Sequence, residues 1–278
     1  MIFLAKKRKK TELDHLTKEL LEARDNGLLE NPSPTFFEKM SGNVNRWVDS
    51  FYDKESRNFQ RQFNTNFRIS FFEKKRELKE SLGIKGYHLK DLNKDFQKTY
   101  NRFSLSAINL IKSQCDEYKL RLKRKFVDWL TLQQAGGSKE NLRDMIKLPH
   151  TKKIRFIERD QTSKMQSTLE LITATHFNSL CFEWKTKRDN RVVGNPTGLY
   201  PKGNERHGDH YHRNGKFYYF KSQKRLLIEA GVKLSSFEGT AEDLIEKDGY
   251  VGQAIGCRCR ARHIYRIADL PKSFFKAS

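Results

Sequence analysis

Cysteine, proline and long apolar runs are all scarce in this chain of 278 residues. It has four cysteines and six prolines, and hydrophobic residues make up only 36% of it. No stretch reaches the roughly 18 consecutive apolar residues of a membrane-spanning helix. The opening "MIFLAKKRKK" lacks the apolar core and cleavage site of a signal peptide. We therefore expect a protein made in a cytosol, without disulfides and without a membrane partner.

Acidic residues are in deficit as well. The chain has 55 lysines and arginines against 34 aspartates and glutamates, for a formal net charge of +21. The excess is spread evenly, with 31 basic and 20 acidic residues in 1–150 and 24 and 14 in 151–278. Such a surplus indicates a polyanionic partner, and a basic protein without one is the alternative. A first candidate contact is the run "KKRKK", Lys6, Lys7, Arg8, Lys9 and Lys10, which otherwise is a solvated arm.

Helical spacing dominates the first two thirds of the chain. Phe59, Phe63 and Phe67 recur every four residues, which predicts the packed face of one helix. From Ser104 a longer amphipathic helix is predicted by apolar residues three or four apart, which are Leu105, Ile108, Ile111, Cys115, Tyr118, Leu122, Phe126 and Trp129. A third helix is predicted by a face that shares Ile157, Gln161, Met165, Leu169, Ile172, His176 and Leu180.

Strand patterns cluster late in the chain, at "FEWKT", "GKFYYF" and the closing "GCRCRARHIYRI". Helices first and strands last predict an α+β fold, with a helical N-terminal part and a compact C-terminal α+β domain that contains a small antiparallel sheet. We place a basic helical region at 1–100, a long and then a short helix at 101–149, and the C-terminal domain at 150–270.

A cysteine and histidine set is the first candidate for chemistry. Thiolate and imidazole are zinc ligands, so His210, Cys257 and Cys259 predict a possible zinc site, with His207 and His212 nearby in sequence. On one straight strand the two cysteines lie about 7 Å apart, so a shared metal needs the strand to bend. The alternative is that the cysteines are small packing residues and the histidines make hydrogen bonds.

The closing strand also separates two kinds of side chain. Strand alternation predicts that Cys257, Cys259, Ala261, His263 and Tyr265 face one way. The opposite face would carry Arg258, Arg260, Arg262 and Arg266. Four guanidinium groups in a row predict a contact with DNA, RNA or an acidic protein, and pairing with local carboxylates is the alternative.

A metal-dependent nuclease is a further possibility. Asp189, Asp209 and His210 lie in a loop rich in histidine and acids that could hold a divalent ion and activate water. The chain has no phosphate-binding loop and no nucleophile-elbow motif.

Four motifs in order give a resemblance. "RDQT", "WKTKRDNRV", "HYHRNGKF" and "GQAIGCRC" resemble the pattern of the bacteriophage Mu F-like minor head proteins, also called phage head morphogenesis proteins. The resemblance covers about residues 100–268, whereas residues 1–95 match no pattern. The motif residues that we expect to support the fold are Arg159, Asp160, Gln161, Trp184, Asp189, Arg191, His210, Gly215, Cys257 and Cys259.

The resemblance implies a minor capsid protein of a tailed phage and not an enzyme. Such a protein would lie in the virion, inside the capsid or at the portal vertex. Its expected partners are the portal, the major capsid protein and the packaged DNA. A metal-dependent nuclease of a phage or mobile element, and a nucleic-acid-binding protein unrelated to virions, are the alternatives.

Overall fold

A computed structural model of the chain describes residues 33–82, 90–134, 151–187, 190–201 and 209–276, together with Lys18, Glu22 and Asn26. The basic run at residues 6–10, the short helix predicted before Pro149, and Asp189 lie outside these residues. The elements follow the predicted order, helices first and strands late. The helices are α1 Pro34–Leu82, α2 Lys90–Gln134, α3 Thr151–His176, α4 Lys224–Glu229 and α5 Ala241–Asp248. The strands are β1 Cys181–Lys185, β2 Phe217–Tyr219, β3 Gly239–Thr240 and β4 Arg260–Ile264. The α+β prediction is confirmed.

The long helices bury the apolar faces that their spacing predicts. Phe59 and Phe63 are fully buried on α1, and most of the predicted stripe on α2 is buried, from Ile111 to Trp129. Helix α2 begins at Lys90, well before Ser104, and Leu105 is 60% exposed. The buried face in this first part of α2 instead contains Leu92, Phe96, Thr99 and Ala107.

The sheet is small and mixed: the predicted antiparallel pairing joins β1 to β2 and to β4, and β3 adds one parallel pair. Its strand order is β3-β2-β1-β4. β1 pairs antiparallel with β2 and with β4, whereas β2 and β3 pair in parallel. The parallel pair arises because α4 and short 3₁₀ turns lie between β2 and β3, so the chain crosses over and returns in the same direction.

Alternation along the strands gives the sheet two apolar faces. Phe182, Trp184 and Tyr218 belong to one cluster, with Cys257, Cys259 and Ala261. Cys181, which is next to Phe182, belongs to a second cluster with Leu227, Val232, Ile264 and Phe274. Residues on opposite faces of each strand therefore pack into separate cores.

The described residues divide into two compact units that do not follow the predicted domain boundaries. One unit draws on residues within 1–62 and 106–157, and the other on residues within 63–105 and 158–278. The boundary predicted after residue 100 therefore falls inside α2. Within the second unit, the Gln166 amide on α3 donates to the Ser70 hydroxyl on α1, at 2.9 Å. Residues 63–105 thus belong to the same unit as the C-terminal sheet.

Candidate metal centre

Three of the predicted ligands come together in the C-terminal unit. His210, Cys257 and Cys259 are all buried, and their ligand atoms lie within 4.8 Å of one another. The His210 Nδ1 atom is 3.4 Å from Cys257 Sγ and 3.8 Å from Cys259 Sγ. A tetrahedral zinc ion, with Zn–S near 2.3 Å and Zn–N near 2.0 Å, separates sulfur and nitrogen by roughly 3.5 Å. The three side chains therefore fit the ligand spacing of a zinc ion.

A bend before β4 brings the two thiols together. The cysteines precede β4, which begins at Arg260, so the prediction that they lie within the closing strand is wrong. Gly256 has φ +70°, and the Cys257 amide donates to the Ala254 carbonyl in a turn. The Cys259 amide lies 3.5 Å from Cys257 Sγ and donates to it. This is the bend that a shared metal requires.

The first motif holds this turn from α3. The buried Asp160 carboxylate accepts a hydrogen bond from the Gly256 amide at 2.7 Å, and Lys164 pairs with its other oxygen at 2.8 Å. One turn along the helix, the Ser163 hydroxyl donates to the Cys257 carbonyl at 2.9 Å. The Gln161 amide also donates to Asp160, at 3.2 Å, so two residues of the "RDQT" motif are joined in one buried polar group.

Gly252 lets helix α3 pack closely against the backbone that leads into the cysteine turn. It has φ +85°, and a Cβ there would meet Ser167 Cβ at 3.1 Å and the Cys259 carbonyl at 3.2 Å. The Ser167 hydroxyl donates to the neighbouring Val251 carbonyl. A glycine is therefore required both by backbone conformation and by space.

Trp184 and the loop around Asp209 position His210. The Trp184 ring lies 5.0 Å from the His210 ring, edge to face. Asp209 accepts hydrogen bonds from the amide and the ring of His212, and these interactions hold the pKa of its carboxyl below the usual range against the opposing effect of burial. Gly194, at φ +86°, lies so close to Asp209 that any Cβ would overlap the carboxylate.

A largely buried ion pair, Arg213 with Asp248, also packs against the Trp184 ring. The Arg213 guanidinium lies over the indole ring, 5.2 Å from its centre, and pairs with Asp248 at the end of α5. The Gly215 amide donates to the Trp184 carbonyl at 2.8 Å. Sequence reasoning placed Arg213 in a motif without a role and missed Asp248, which has no motif to mark it.

The two thiols are not equivalent. The Cys259 thiol donates to Cys257 and lowers the pKa of Cys257, and His210 lowers it further. The same shared proton, together with burial, raises the pKa of Cys259. A thiolate at Cys257 is the form that binds metal.

The arginine face of the closing strand is largely neutralised within the chain. Arg262 contacts the Oε2 atom of the buried Glu183 through two nitrogens, Nη2 at 2.6 Å and Nε at 2.8 Å. Arg260 lies 3.4 Å from Glu170 and also donates to Gln166, while Arg266 pairs with Asp269 at 2.8 and 2.9 Å. Local pairing, the alternative that the sequence left open, therefore accounts for these three arginines. Contact with a partner through them and through Arg258 stays a prediction.

His263, which the register placed on the inner face, is a second buried histidine. Its Nδ1 lies 3.1 Å from the Ser179 hydroxyl and its Nε2 lies 2.7 Å from the Tyr250 hydroxyl. Burial lowers its pKa to about 3, with a smaller effect from the charge of Lys74. The neutral ring fits these partners, since Nδ1–H can donate to Ser179 while Tyr250 donates to Nε2.

The remaining predicted residues are not drawn into the cluster. Arg159 and Arg191 are exposed, and Asp189 lies outside the described residues. Of the candidate nuclease set, Asp209 turns to His212 while His210 faces the thiols. The structure thus brings together the thiol and imidazole ligands and does not place the Asp209 carboxylate with them.

Comparisons of the chain with protein-family models, with curated proteins and with solved structures gave no match. The resemblance to the Mu F-like head proteins therefore stays a prediction. Within the described residues, no helix is long and apolar enough to cross a membrane.

Proposed function

We propose that the chain is a minor capsid, or head morphogenesis, protein of a tailed bacteriophage, and that a zinc ion held by His210, Cys257 and Cys259 closes its C-terminal domain. The observation that carries this proposal is the convergence of all four motifs on one buried centre. Asp160, Trp184 and His210 come from the first three motifs, and each contacts the "GCRC" turn or one of its partners. Motifs spread over about a hundred residues of sequence thus support one arrangement.

The role of the ion in this proposal is structural. His210, Cys257 and Cys259 are each no more than 9% exposed, and the hydrogen bonds from Asp160 and Ser163 end on backbone atoms of the turn. Thiolate and imidazole are zinc ligands, and the three described here leave one position of a tetrahedral ion for a further ligand. The exclusion of solvent from the set is what favours a structural role. The ion would tie the loop before β2 to the segment before β4, two segments that no sheet hydrogen bond joins directly.

The domain would serve as an interaction module during head assembly. Its expected partners are the portal, the major capsid protein and packaged DNA, and the net charge of +21 supports a polyanion among them. The protein would then lie inside the capsid or at the portal vertex.

The direct test measures the protein in heads of the phage or prophage that encodes it. Heads are purified from cells that carry the wild-type gene, a Cys257→Ser/Cys259→Ser variant or a deletion, and the chain is quantified by mass spectrometry. We expect the wild-type chain in heads, loss of the double variant, and malformed or empty heads in the deletion. Normal heads without the chain would contradict the proposal, as would cleavage of plasmid DNA by the zinc-loaded protein, which would indicate the nuclease.

A further inference from the structure

Three arginines of the closing stretch are already paired, so basic residues elsewhere are better placed to bind a polyanion. Arg260, Arg262 and Arg266 each face a carboxylate of the same unit. An arginine already paired gains little by binding a phosphate, because the carboxylate must first be displaced or left unpaired. Basic residues without such a partner are therefore better candidates for a phosphate contact than these three arginines.

Helix α2 carries such residues near its end. Lys123, Arg124 and Lys125 are consecutive, and none of their side chains makes an ion pair or hydrogen bond to another residue in the described part of the chain. Arg124 and Lys125 are exposed, and Lys123 is half-buried. Consecutive residues leave a helix about 100° apart, so Arg124 projects between Lys123 and Lys125, and the two long lysine side chains flank it.

The nearest preceding carboxylates of α2 are engaged by other lysines. Glu117 pairs with Lys153 at 3.6 Å, and Asp116 lies 3.9 Å from Lys119. The Glu117 pair also brings the start of α3 beside α2, where Lys152 is exposed. Lys152 thus adds one exposed positive charge where the start of α3 lies beside α2.

A second basic run, on α1, shows that consecutive basic residues are not always left without a partner. Lys74, Lys75 and Arg76 are also consecutive on α1, but Lys74 pairs with Glu77 at 2.6 Å and Arg76 lies 3.8 Å from Glu80. Lys75 lies over the Phe71 ring at 4.8 Å. This run is paired by its own helix, whereas no ion pair within the described residues joins Lys123–Lys125 to Asp128, the acidic residue one turn further along α2.

We propose that Lys123, Arg124 and Lys125 form a surface that binds the phosphate backbone of duplex DNA. The choice of DNA as the polyanion rests on the function proposed above. Long basic side chains on a helix suit contacts with phosphates, which set affinity and position without reading the base sequence. The surface should therefore bind DNA of any sequence, with an affinity that falls steeply with salt.

The experiment compares two full-chain triple variants with the same loss of charge. Lys123→Gln/Arg124→Gln/Lys125→Gln removes the proposed surface. Binding to a labelled 30-base-pair duplex is measured by fluorescence anisotropy between about 50 and 300 mM NaCl, after circular dichroism has confirmed the same melting temperature as the wild type. If all three cations contact phosphates, the slope of log K against log[salt] should fall by about 2.7, which is about 0.9 per contact.

The matched control is Lys74→Gln/Lys75→Gln/Arg76→Gln, the run already engaged by its own helix, which should leave the slope within about 0.5 of the wild type. Equal losses in both variants would overturn the proposal, since only total charge would then matter. Unchanged DNA binding together with loss from purified heads would also overturn it, in favour of an acidic protein partner. A wild-type chain that binds no DNA would overturn the surface and the DNA contact, while head incorporation would test the proposed capsid role separately.

Discussion

His263 makes the stability of the C-terminal unit depend on pH in a way that one substitution can isolate. The ring is buried and neutral between Ser179 and Tyr250, with its pKa lowered to about 3 by burial. In the unfolded chain the same ring has an ordinary pKa near 6.5. Below pH 6.5 the unfolded state therefore binds a proton that the folded state does not. The stabilisation by the neutral ring is complete above about pH 6.5 and is lost as pH falls toward 3.

The expected magnitude follows from this difference in pKa. Between pH 6.5 and pH 5.0 the proton costs the folded state about 1.4 kcal/mol per pH unit, or about 2 kcal/mol in all. His263→Phe removes the titration and leaves the Tyr250 hydroxyl without its partner. That loss should cost about 1–3 kcal/mol at pH 7.5. The gap in stability between wild type and variant should therefore shrink by about 2 kcal/mol when the pH is lowered to 5.0.

The assay is urea unfolding of the full chain at pH 7.5, 6.0 and 5.0 in saturating zinc, followed by tryptophan fluorescence. Acid also protonates carboxylates and metal ligands, but these effects occur in both proteins and cancel in the comparison. His176→Gln serves as control, because it removes an exposed histidine of the same unit without touching the buried ring of His263 or its partners. A gap between wild type and His263→Phe that stays constant from pH 7.5 to 5.0 would refute the reasoning.

Three further outcomes are expected. Gly194→Ala should weaken zinc binding at least tenfold, measured with a competing chelator, because a Cβ would displace Asp209 and the histidine that follows it. Arg213→Ala should lower the free energy of unfolding by about 3 kcal/mol, because it leaves the buried Asp248 charge unpaired. Chemical denaturation measures this change, and a loss below about 1 kcal/mol would show that the pair contributes little to stability. A fragment of residues 150–278 should be insoluble or show no cooperative melting, because it lacks residues 63–105 of the same compact unit. A sharp thermal transition in the isolated fragment would contradict this.

Local patterns in the sequence were sufficient for the elements and for the choice of ligands. The spacing of Phe59 and Phe63 predicted a buried helix face because helical neighbours four residues apart share a side. Alternation after Cys257 predicted which side chains are buried, since Cys257, Cys259, Ala261 and His263 all lie inside. Thiol and imidazole chemistry selected the three residues that meet in the candidate centre.

Features that depend on distant partners could not be predicted in the same way. The bend before β4 depends on Gly256 at positive φ and on a hydrogen bond to Asp160, which is 96 residues away. The pairing of Arg262 with Glu183 requires the register that places these two residues opposite each other. The parallel pairing of the two-residue strand β3 has no periodic pattern at all. Such contacts are set by the assembled unit and not by local sequence.

The central claim is that the motifs assemble a zinc-binding centre, and metal content tests it most directly. The full chain is purified without added metal or histidine tag, and its zinc is measured by plasma mass spectrometry beside Cys257→Ser/Cys259→Ser and the control His176→Gln, an exposed histidine at the end of α3. We predict about one zinc per chain in the wild type and in the control, less than about 0.1 in the double variant, and a melting temperature that falls when a chelator removes the ion. A wild-type chain that carries no zinc, takes up none on titration and melts at the same temperature with chelator would contradict the account.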